Sequence, residues 1–269
     1  MRRVRKASSN HVKREKGDGM KKTVYSIKGK RLKKGVKFAL ISDLHGADVQ
    51  PVIEALKKEV PDYILMPGDI FERLDIAEGE AYDRALLLLK ESAKIAPTYY
   101  SCGNHEDGAT RSWSLKWKNK TGERQYSPKA IKDINESGAI FLENSFVLKN
   151  GIAFGGLASG LIMESSEPEI KWLDEFCCID APKILLCHHP EYYKKYLQDQ
   201  DIDIIVSGHA HGGQWRFFGR GVFAPGQGIF PKYTKGVYDG RFVISTGLKK
   251  SGKIPRIFNE PEIVLIRVK

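Results

Sequence analysis

The chain has 269 residues, 41% of them hydrophobic and 29% charged, a balance that excludes a wholly disordered polypeptide and suits one large α/β core. Its formal charge of +11 would suggest a polyanion-binding protein, but residues 1–37 hold 15 Lys and Arg against Glu15 and Asp18. That leaves 29 basic and 31 acidic residues elsewhere, so the basic character belongs to an appendage and the body is close to neutral.

In chain order, residues 1–20 lack apolar periodicity and read as a disordered basic arm, and 21–269 read as one domain. Such an arm either contacts anionic membrane or nucleic acid, or simply aids solubility. Arg2-Arg3 lacks the apolar region that a twin-arginine export signal needs, and Phe38 to Ile41 falls far below the ~20 residues of a membrane span. Lys22 to Ile27 and Phe38 to Ile41 read as strands, the first an edge strand whose lysines discourage further pairing. Gln50 to Val60 carries Val52, Ile53, Leu56 and Val60 at helical spacing, with Pro51 in its first turn. Tyr63 to Met66 is a strand, and Glu80 to Ala96 a helix whose four consecutive leucines, Leu86 to Leu89, suggest burial on more than one side. Thr98 to Tyr100 is a strand, and Ser127-Pro128 opens a helix that Gly138 closes. Phe146 to Leu148 and Ile152 to Phe154 form a hairpin on Asn150-Gly151. Glu167 to Phe176 and Glu191 to Asp199 are helices, Lys183 to Leu186 and Ile202 to Val206 strands. The closing strands, Arg241 to Ile244 and Ile263 to Ile266, are expected together in a second sheet. Cys102, Cys177, Cys178 and Cys187 show no Cys-x-x-Cys spacing and are expected to be reduced.

Five of the strands lead into short polar segments. These are Asp43-Leu44-His45, Gly68-Asp69, Gly103-Asn104-His105-Glu106, Cys187-His188-His189 and Gly208-His209-Ala210-His211, which together contain six of the seven histidines. Imidazole, carboxylate and amide oxygen, with no thiolate motif, form the ligand set of a borderline-hard divalent metal. Ligands of open α/β sheets bind beyond the carboxyl ends of the strands, so loops leaving one edge can converge on one site. Two cations held roughly 3.5–4 Å apart can together generate hydroxide from water near neutral pH. One carboxylate must bridge them, and Asp69, alone in its loop, is the natural candidate.

The ordered series Asp43-Leu44-His45, Gly68-Asp69, Gly103-Asn104-His105-Glu106, His188 and Gly208-His209-Ala210-His211 resembles the five motifs of the calcineurin-like metallophosphoesterase superfamily, over residues 36–213. The later series Gly208 to Gln214, Gly236-Val237-Tyr238 and Pro261-Glu262-Ile263 is similar to the bacterial YkuE/YaeI-type phosphodiesterase branch, some of whose relatives hydrolyse UDP-diacylglucosamine. The resemblance implies a four-layer α/β/β/α fold, a two-sheet β-sandwich flanked by helices. It implies that Asp43, His45, Asp69 and His211 hold a first metal, and Asp69, Asn104, His188 and His209 a second. Manganese is the expected ion, and the set also permits iron or zinc. The resemblance gives His105 the task of stabilising the phosphorane charge or protonating the departing oxygen, with Glu106 orienting its ring. His189 is expected to pack beside the ligands.

Substrate binding falls to less patterned segments. Arg73 either grips a phosphate oxygen or pairs with Glu72. Trp113 and Trp117, in the basic stretch Asp107 to Tyr126, could stack bases or enter a lipid headgroup layer, and the aromatic, Gly-rich Trp215 to Tyr238 could form a second cap. The leading function is a two-metal hydrolase of a phosphodiester or pyrophosphate, with a nucleotide-linked lipid such as UDP-diacylglucosamine as a candidate substrate. The alternatives are a nuclease of the same superfamily and a non-catalytic metal-binding scaffold, against which the complete ligand set argues. A cytoplasmic protein is expected, with peripheral contact to anionic membrane available through the basic arm.

Overall fold

The structure, a computed structural model, describes residues 12–16, 21–108, 124–160, 167–249 and 255–269, the first of these by backbone alone. Strands β1 (Val12–Lys16), β2 (Lys21–Ile27), β3 (Lys37–Leu40), β4 (Tyr63–Met66), β5 (Thr98–Tyr100) and β6 (Ile140–Phe141) belong to one sheet. Strands β7 (Ser145–Lys149), β8 (Ile152–Leu157), β9 (Lys183–Cys187) and β10 (Ile204–Ser207) belong to another. Two small hairpins follow, β11 (Arg216–Phe217) with β12 (Arg220–Gly221), and β13 (Phe223–Ala224) with β14 (Gly228–Ile229). Then β15 (Gly236–Tyr238) and β16 (Phe242–Ile244) complete the second sheet, and β17 (Glu262–Val268) returns to the first. Their orders are β1-β2-β17-β3-β4-β5-β6 and β15-β16-β10-β9-β8-β7.

Side-chain alternation along the strands builds the layers. Phe38, Leu40 and Leu65 of the first sheet meet Ile184, Leu186, Ile204 and Val206 of the second in a shared core, where the Tyr99 and Phe154 rings stack 3.7 Å apart. Their neighbours Ala39, Ile64 and Met66 turn the other way, under Val52 and Leu56 of α1 (Gln50–Glu59), Leu88 and Leu89 of α2 (Glu80–Ile95) and Ile134 of α3 (Pro128–Glu136). Leu185 and Ile205 face outward from the second sheet against Leu173 and Phe176 of α4 (Trp172–Cys178) and the short helical segment Tyr193–Leu197. The expected order of helices, sheet, sheet, helices is what forms. Pro51 opens α1 and Val60, in the left-handed region, closes it. The Ser127 hydroxyl caps α3 by accepting the Ala130 N–H at 3.0 Å.

Several expectations are corrected. Lys22 to Ile27 is not an edge strand: β2 lies between β1, its antiparallel partner, and β17. Residues 12–16, inside the stretch expected as a disordered arm, are the strand that covers it. The closing strands part company, since β16 joins the second sheet while β17 inserts between β2 and β3 of the first. In α2 Leu88 and Leu89 are buried but Leu87 is exposed, so that helix buries one face. Trp215 to Tyr238 contains two hairpins and the edge strand β15.

What matters for the site is direction. Strands β3, β4, β5 and β6 run parallel, as do β8, β9, β10 and β16, and the polar segments leave the carboxyl ends of β3, β4, β5, β9 and β10. Because the shared core fixes the angle between these ends, we expect Phe154→Ala to lower stability by roughly 3–5 kcal/mol, the cost of removing a buried aromatic. Urea denaturation would measure it, and a loss below ~1 kcal/mol would show that the two sheets are not held together by this stack.

Candidate metal centre

Asp69 is buried and its two oxygens have different surroundings. Oδ1 accepts the backbone N–H of His105 at 3.0 Å. Oδ2 lies 3.2 Å from His188 Nε2, 3.4 Å from His45 Nε2 and 4.0 Å from His105 Nε2. One oxygen is anchored, and the other faces rings delivered by three separate loops. Asp43 differs: its Oδ1 both accepts the His209 N–H at 2.9 Å and lies 3.6 Å from His211 Nε2, and its Oδ2 has no hydrogen-bond partner. The ligand atoms gather into groups that could each hold a metal ion, Asp43 with His45 and His211, and Asp69 with His188 and His209, with a third group of His45, Asp69 and His105 between them.

The tautomers follow from the outer contacts. His188 Nδ1 donates to the Pro67 carbonyl at 3.0 Å, and His45 Nδ1 donates to Glu72 Oε1 at 2.9 Å. Each ring therefore turns Nε2 inward, which is how ligand histidines are held. His211 differs. Its Nδ1 accepts an N–H from Arg256 at 3.1 Å, and because arginine can only donate, the proton of the neutral ring sits on Nε2.

A test of fit is available in the buried polar atoms. Asp43 Oδ2, His45 Nε2, Asn104 Oδ1, His188 Nε2 and His209 Nε2 are buried with no hydrogen-bond partner. Buried polar groups are ordinarily paired, and leaving one unpaired costs about 1–3 kcal/mol. Four of these atoms belong to the candidate ligand groups, and their lack of partners is explained if cations bind there. The residues present fit a pair of divalent metals.

Electrostatics agree. Burial opposes the charge of Asp69, but His188, His105 and His45 hold its pKa well below the usual carboxylate range. Burial lowers the His188 pKa and Asp69 more than reverses this, to about 9. Burial drives His209 far down, with His189 and His188 adding to it, and takes His211 down to about 3 against the pull of Asp43. His209 and His211 are thus neutral and keep the lone pair that a metal requires, whereas His188 carries its proton opposite Asp69 and would release it on binding a cation.

His105 takes a different position. It keeps some exposure, and its Nδ1 donates to Glu72 Oε2 at 2.9 Å. Burial lowers its pKa, yet the Asp69 and Glu72 carboxylates leave it raised. Glu72 thus holds both His45 and His105, one on each oxygen. Burial works to raise the Glu72 pKa, and these two imidazoles pull it far below the ordinary value.

Two expectations fail here. Glu106 does not orient the His105 ring. Its Oε2 accepts the N–H groups of Asp69 at 3.0 Å and Gly103 at 2.9 Å, while Oε1 accepts those of Ile70 at 2.7 Å and Phe71 at 3.0 Å and the Tyr100 hydroxyl at 3.0 Å. Burial and the Asp69 charge raise its pKa to about 7, against the pull of those N–H donors. Arg73 does not pair with Glu72: its Nε donates to Asp75 Oδ1 at 2.6 Å and its Nη2 to Asp75 Oδ2. His189 packs as expected, donating from Nδ1 to Glu191 at 3.0 Å and accepting at Nε2 from the Ser159 hydroxyl at 2.8 Å. Trp113 and Trp117 lie outside the described residues. The reading of the sequence missed Glu72 as the histidine holder, Arg256, and Asn259, whose Nδ2 donates to the His211 carbonyl at 2.6 Å and the Gln214 carbonyl at 3.1 Å.

The loops that carry these groups are strained. Asp43, His45, Asp69, His209 and His211 all have φ between 44° and 63°, the left-handed region that L-residues rarely enter. Close approach adds a second demand, because a Cβ at Gly103 would strike the Asp69 carboxylate and one at Gly208 the Asp43 carboxylate. Glu106 ties the strained Asp69 loop to the loop that carries Asn104. Since glutamine offers one accepting oxygen where the carboxylate offers two, Glu106→Gln should strand buried N–H groups and lower the stability of the chelator-treated protein by roughly 2–5 kcal/mol. Chemical denaturation would read this, and an unchanged midpoint would mean that the loops hold without it.

Comparison with known proteins adds an independent line. A family model described as calcineurin-like phosphoesterase matches residues 36–213, the span from the start of β3 past the last histidine. The chain is 28% identical to the uncharacterized protein YpbG of Bacillus subtilis over 93% of this chain and 88% of that one. It is 25% identical to an uncharacterized metallophosphoesterase of Aquifex aeolicus over 91% of this chain and 90% of the relative. With the phosphodiesterase YaeI of Escherichia coli it shares 26% identity over 67% of this chain and 62% of that protein. The chain belongs to the calcineurin-like phosphoesterase family, metal-dependent phosphoesterases whose motifs here bound a group of candidate metal ligands.

Proposed function

We propose that the chain hydrolyses a phosphodiester or pyrophosphate with two divalent cations, manganese first among them. One observation carries this reading: Asp69 Oδ2 stands between His188 Nε2 at 3.2 Å and His45 Nε2 at 3.4 Å, amid buried atoms without partners. In this assignment Asp43, His45, Asp69 and His211 hold one cation and Asp69, Asn104, His188 and His209 the other. Bound together, such cations neutralise the charge of the ester and activate water near neutral pH.

The chain's own residues do the rest. Asp69 would offer Oδ2 to the cations, since its Oδ1 is held by the His105 N–H. Asn104 supplies a neutral oxygen, which limits the negative charge around the cations. Glu72 fixes His45 as a ligand and His105 as a donor by taking the Nδ1–H of each. His105 Nε2 is then free to give a proton to the departing oxygen, or to hold the charge that builds on the phosphorus oxygens. His211 would serve as a ligand through Nε2 only with its proton on Nδ1, where it now accepts from Arg256.

The substrate we propose is the pyrophosphate of a nucleotide-linked lipid, reached in the cytoplasm at the inner face of the membrane. The name of YaeI as a phosphodiesterase supports the bond class, and the lipid is our extension. Turnover of UDP-diacylglucosamine beside single-stranded nucleic acid, with Mn²⁺ and after chelation, tests it. Hydrolysis of the nucleic acid alone would replace this substrate with a nuclease substrate.

Asp69→Asn is expected to lose bound manganese together with activity, read by elemental analysis, and unchanged metal content would exclude the bridge. His105→Ala should lower turnover by about 10²–10⁴-fold while the metals stay bound. Glu72→Gln should cost roughly 10–100-fold, the usual effect of disturbing the group that holds a ligand histidine. If Glu72→Gln turned over at the wild-type rate, the shared anchoring of His45 and His105 would have no part in the reaction.

A further inference from the structure

The exposed large apolar side chains of this protein are not scattered. Among the described residues most of them fall between 217 and 258, and Phe218, Phe258, Phe230 and Ile229 are 106%, 81%, 77% and 72% exposed. Exposure this complete is uncommon for phenylalanine, and its concentration marks an interaction surface. The pieces adjoin one another. The Phe217 and Phe258 rings meet edge to face at 6.0 Å, and Trp215 bridges to Ile257. Phe230 donates its backbone N–H to Val222 at 2.8 Å, next to the β11–β12 hairpin.

Between the β11–β12 hairpin and residues 230–238 is a cavity of about 430 Å³ lined by Arg216, Arg220, Lys232 and Lys235, with Phe230 and Tyr238 at its sides. Arg216 is committed to the Gly212 carbonyl and the Thr234 hydroxyl, and Lys235 to Glu262. Arg220 and Lys232 are exposed, and Lys232 sits 4.8 Å from the centroid of the Tyr233 ring. Cations and bare aromatic rings thus share one face. The basic N-terminal segment enters the fold beside it: Lys21 pairs with Glu260 at 3.1 Å, close in sequence to Phe258. The same face adjoins the metal centre, since Arg256 contacts His211.

We infer that this face docks on an anionic lipid bilayer, with the basic cavity taking a phosphate headgroup while Phe218, Phe230 and Phe258 enter the acyl boundary. A membrane interface is the surface that rewards both features at once, apolar rings at the headgroup boundary and cations against anionic lipid. A folded partner would require shape complementarity from fully extended rings, and a nucleic acid would take the cations but leave most of the apolar area in water. The docking face is separate from the bond-breaking residues. It deepens the proposed function by bringing a lipid-borne phosphate ester to the mouth of the site.

The test is sedimentation of the full chain with vesicles of phosphatidylglycerol and phosphatidylcholine, beside pure phosphatidylcholine vesicles and a single-stranded oligonucleotide. Binding to the anionic vesicles is expected, weakened about tenfold or more by Phe218→Ser with Phe230→Ser and likewise by Arg220→Glu with Lys232→Glu, a change of about 1.4 kcal/mol or more. Each double variant should hydrolyse a soluble chromogenic diester at the wild-type rate, which shows that it is folded. Wild-type vesicle binding by the phenylalanine variant would mean that the basic N-terminal segment alone makes the attraction, and the inference would fall. Binding to the oligonucleotide alone would overturn it too. A wild-type protein that binds vesicles but hydrolyses no diester would count against the proposed function and leave the docking face standing.

Discussion

The buried carboxylate of Asp69 is the constraint on which the structure turns. An ionised group at this depth is unfavourable unless cations or donors surround it, and the fold supplies one backbone N–H and a ring of imidazoles from different strands. That requirement explains why the sheets lie face to face. His45 leaves β3 of the first sheet and His188 leaves β9 of the second, and they approach one oxygen because the shared core sets the carboxyl ends of those strands side by side.

The arrangement costs the backbone something. Left-handed conformations at non-glycine residues cost roughly 1–3 kcal/mol each, and five of the proposed ligands, Asp43, His45, Asp69, His209 and His211, adopt them. Such strain persists only where the surroundings over-determine it. The layers of apolar residues beneath the loops supply the stability, and Glu106 supplies the local restraint by gathering N–H groups from the Asp69 and Asn104 loops onto one carboxylate. A strained turn aims a short side chain that an extended strand would point into the core. Strain and aim are therefore one property of these loops.

Much of this was legible in the sequence, and what was not has a physical cause. The ligand segments stand directly after apolar strands, so local pattern and the geometry of parallel sheets suffice to bring Asp43, Asp69, Asn104, His188 and His209 together. Strand partners chosen at long range were not legible. β17 inserts between β2 and β3 through register with residues more than two hundred positions earlier, and apolar alternation in Ile263 to Ile266 is compatible with either sheet. The glutamate that holds His105 was misjudged for a similar reason. Glu106 is adjacent to His105, but neighbours in a turn diverge, and its carboxylate turns inward to backbone donors. Glu72 is distant in sequence and faces His105 because the loop after β4 folds over the loop after β5. Sequence proximity was a poor guide to which carboxylate meets which ring.

His211 shows how the surface and the centre are joined. Arginine holds no lone pair, so its contact with Nδ1 selects the tautomer whose proton faces Asp43, the opposite of the tautomers enforced on His45 and His188. Coordination through Nε2 and the Arg256 contact are therefore mutually exclusive on chemical grounds. Filling the first site would free a guanidinium that burial and the loss of its partner both disfavour, at the border between the cations and the exposed phenylalanines.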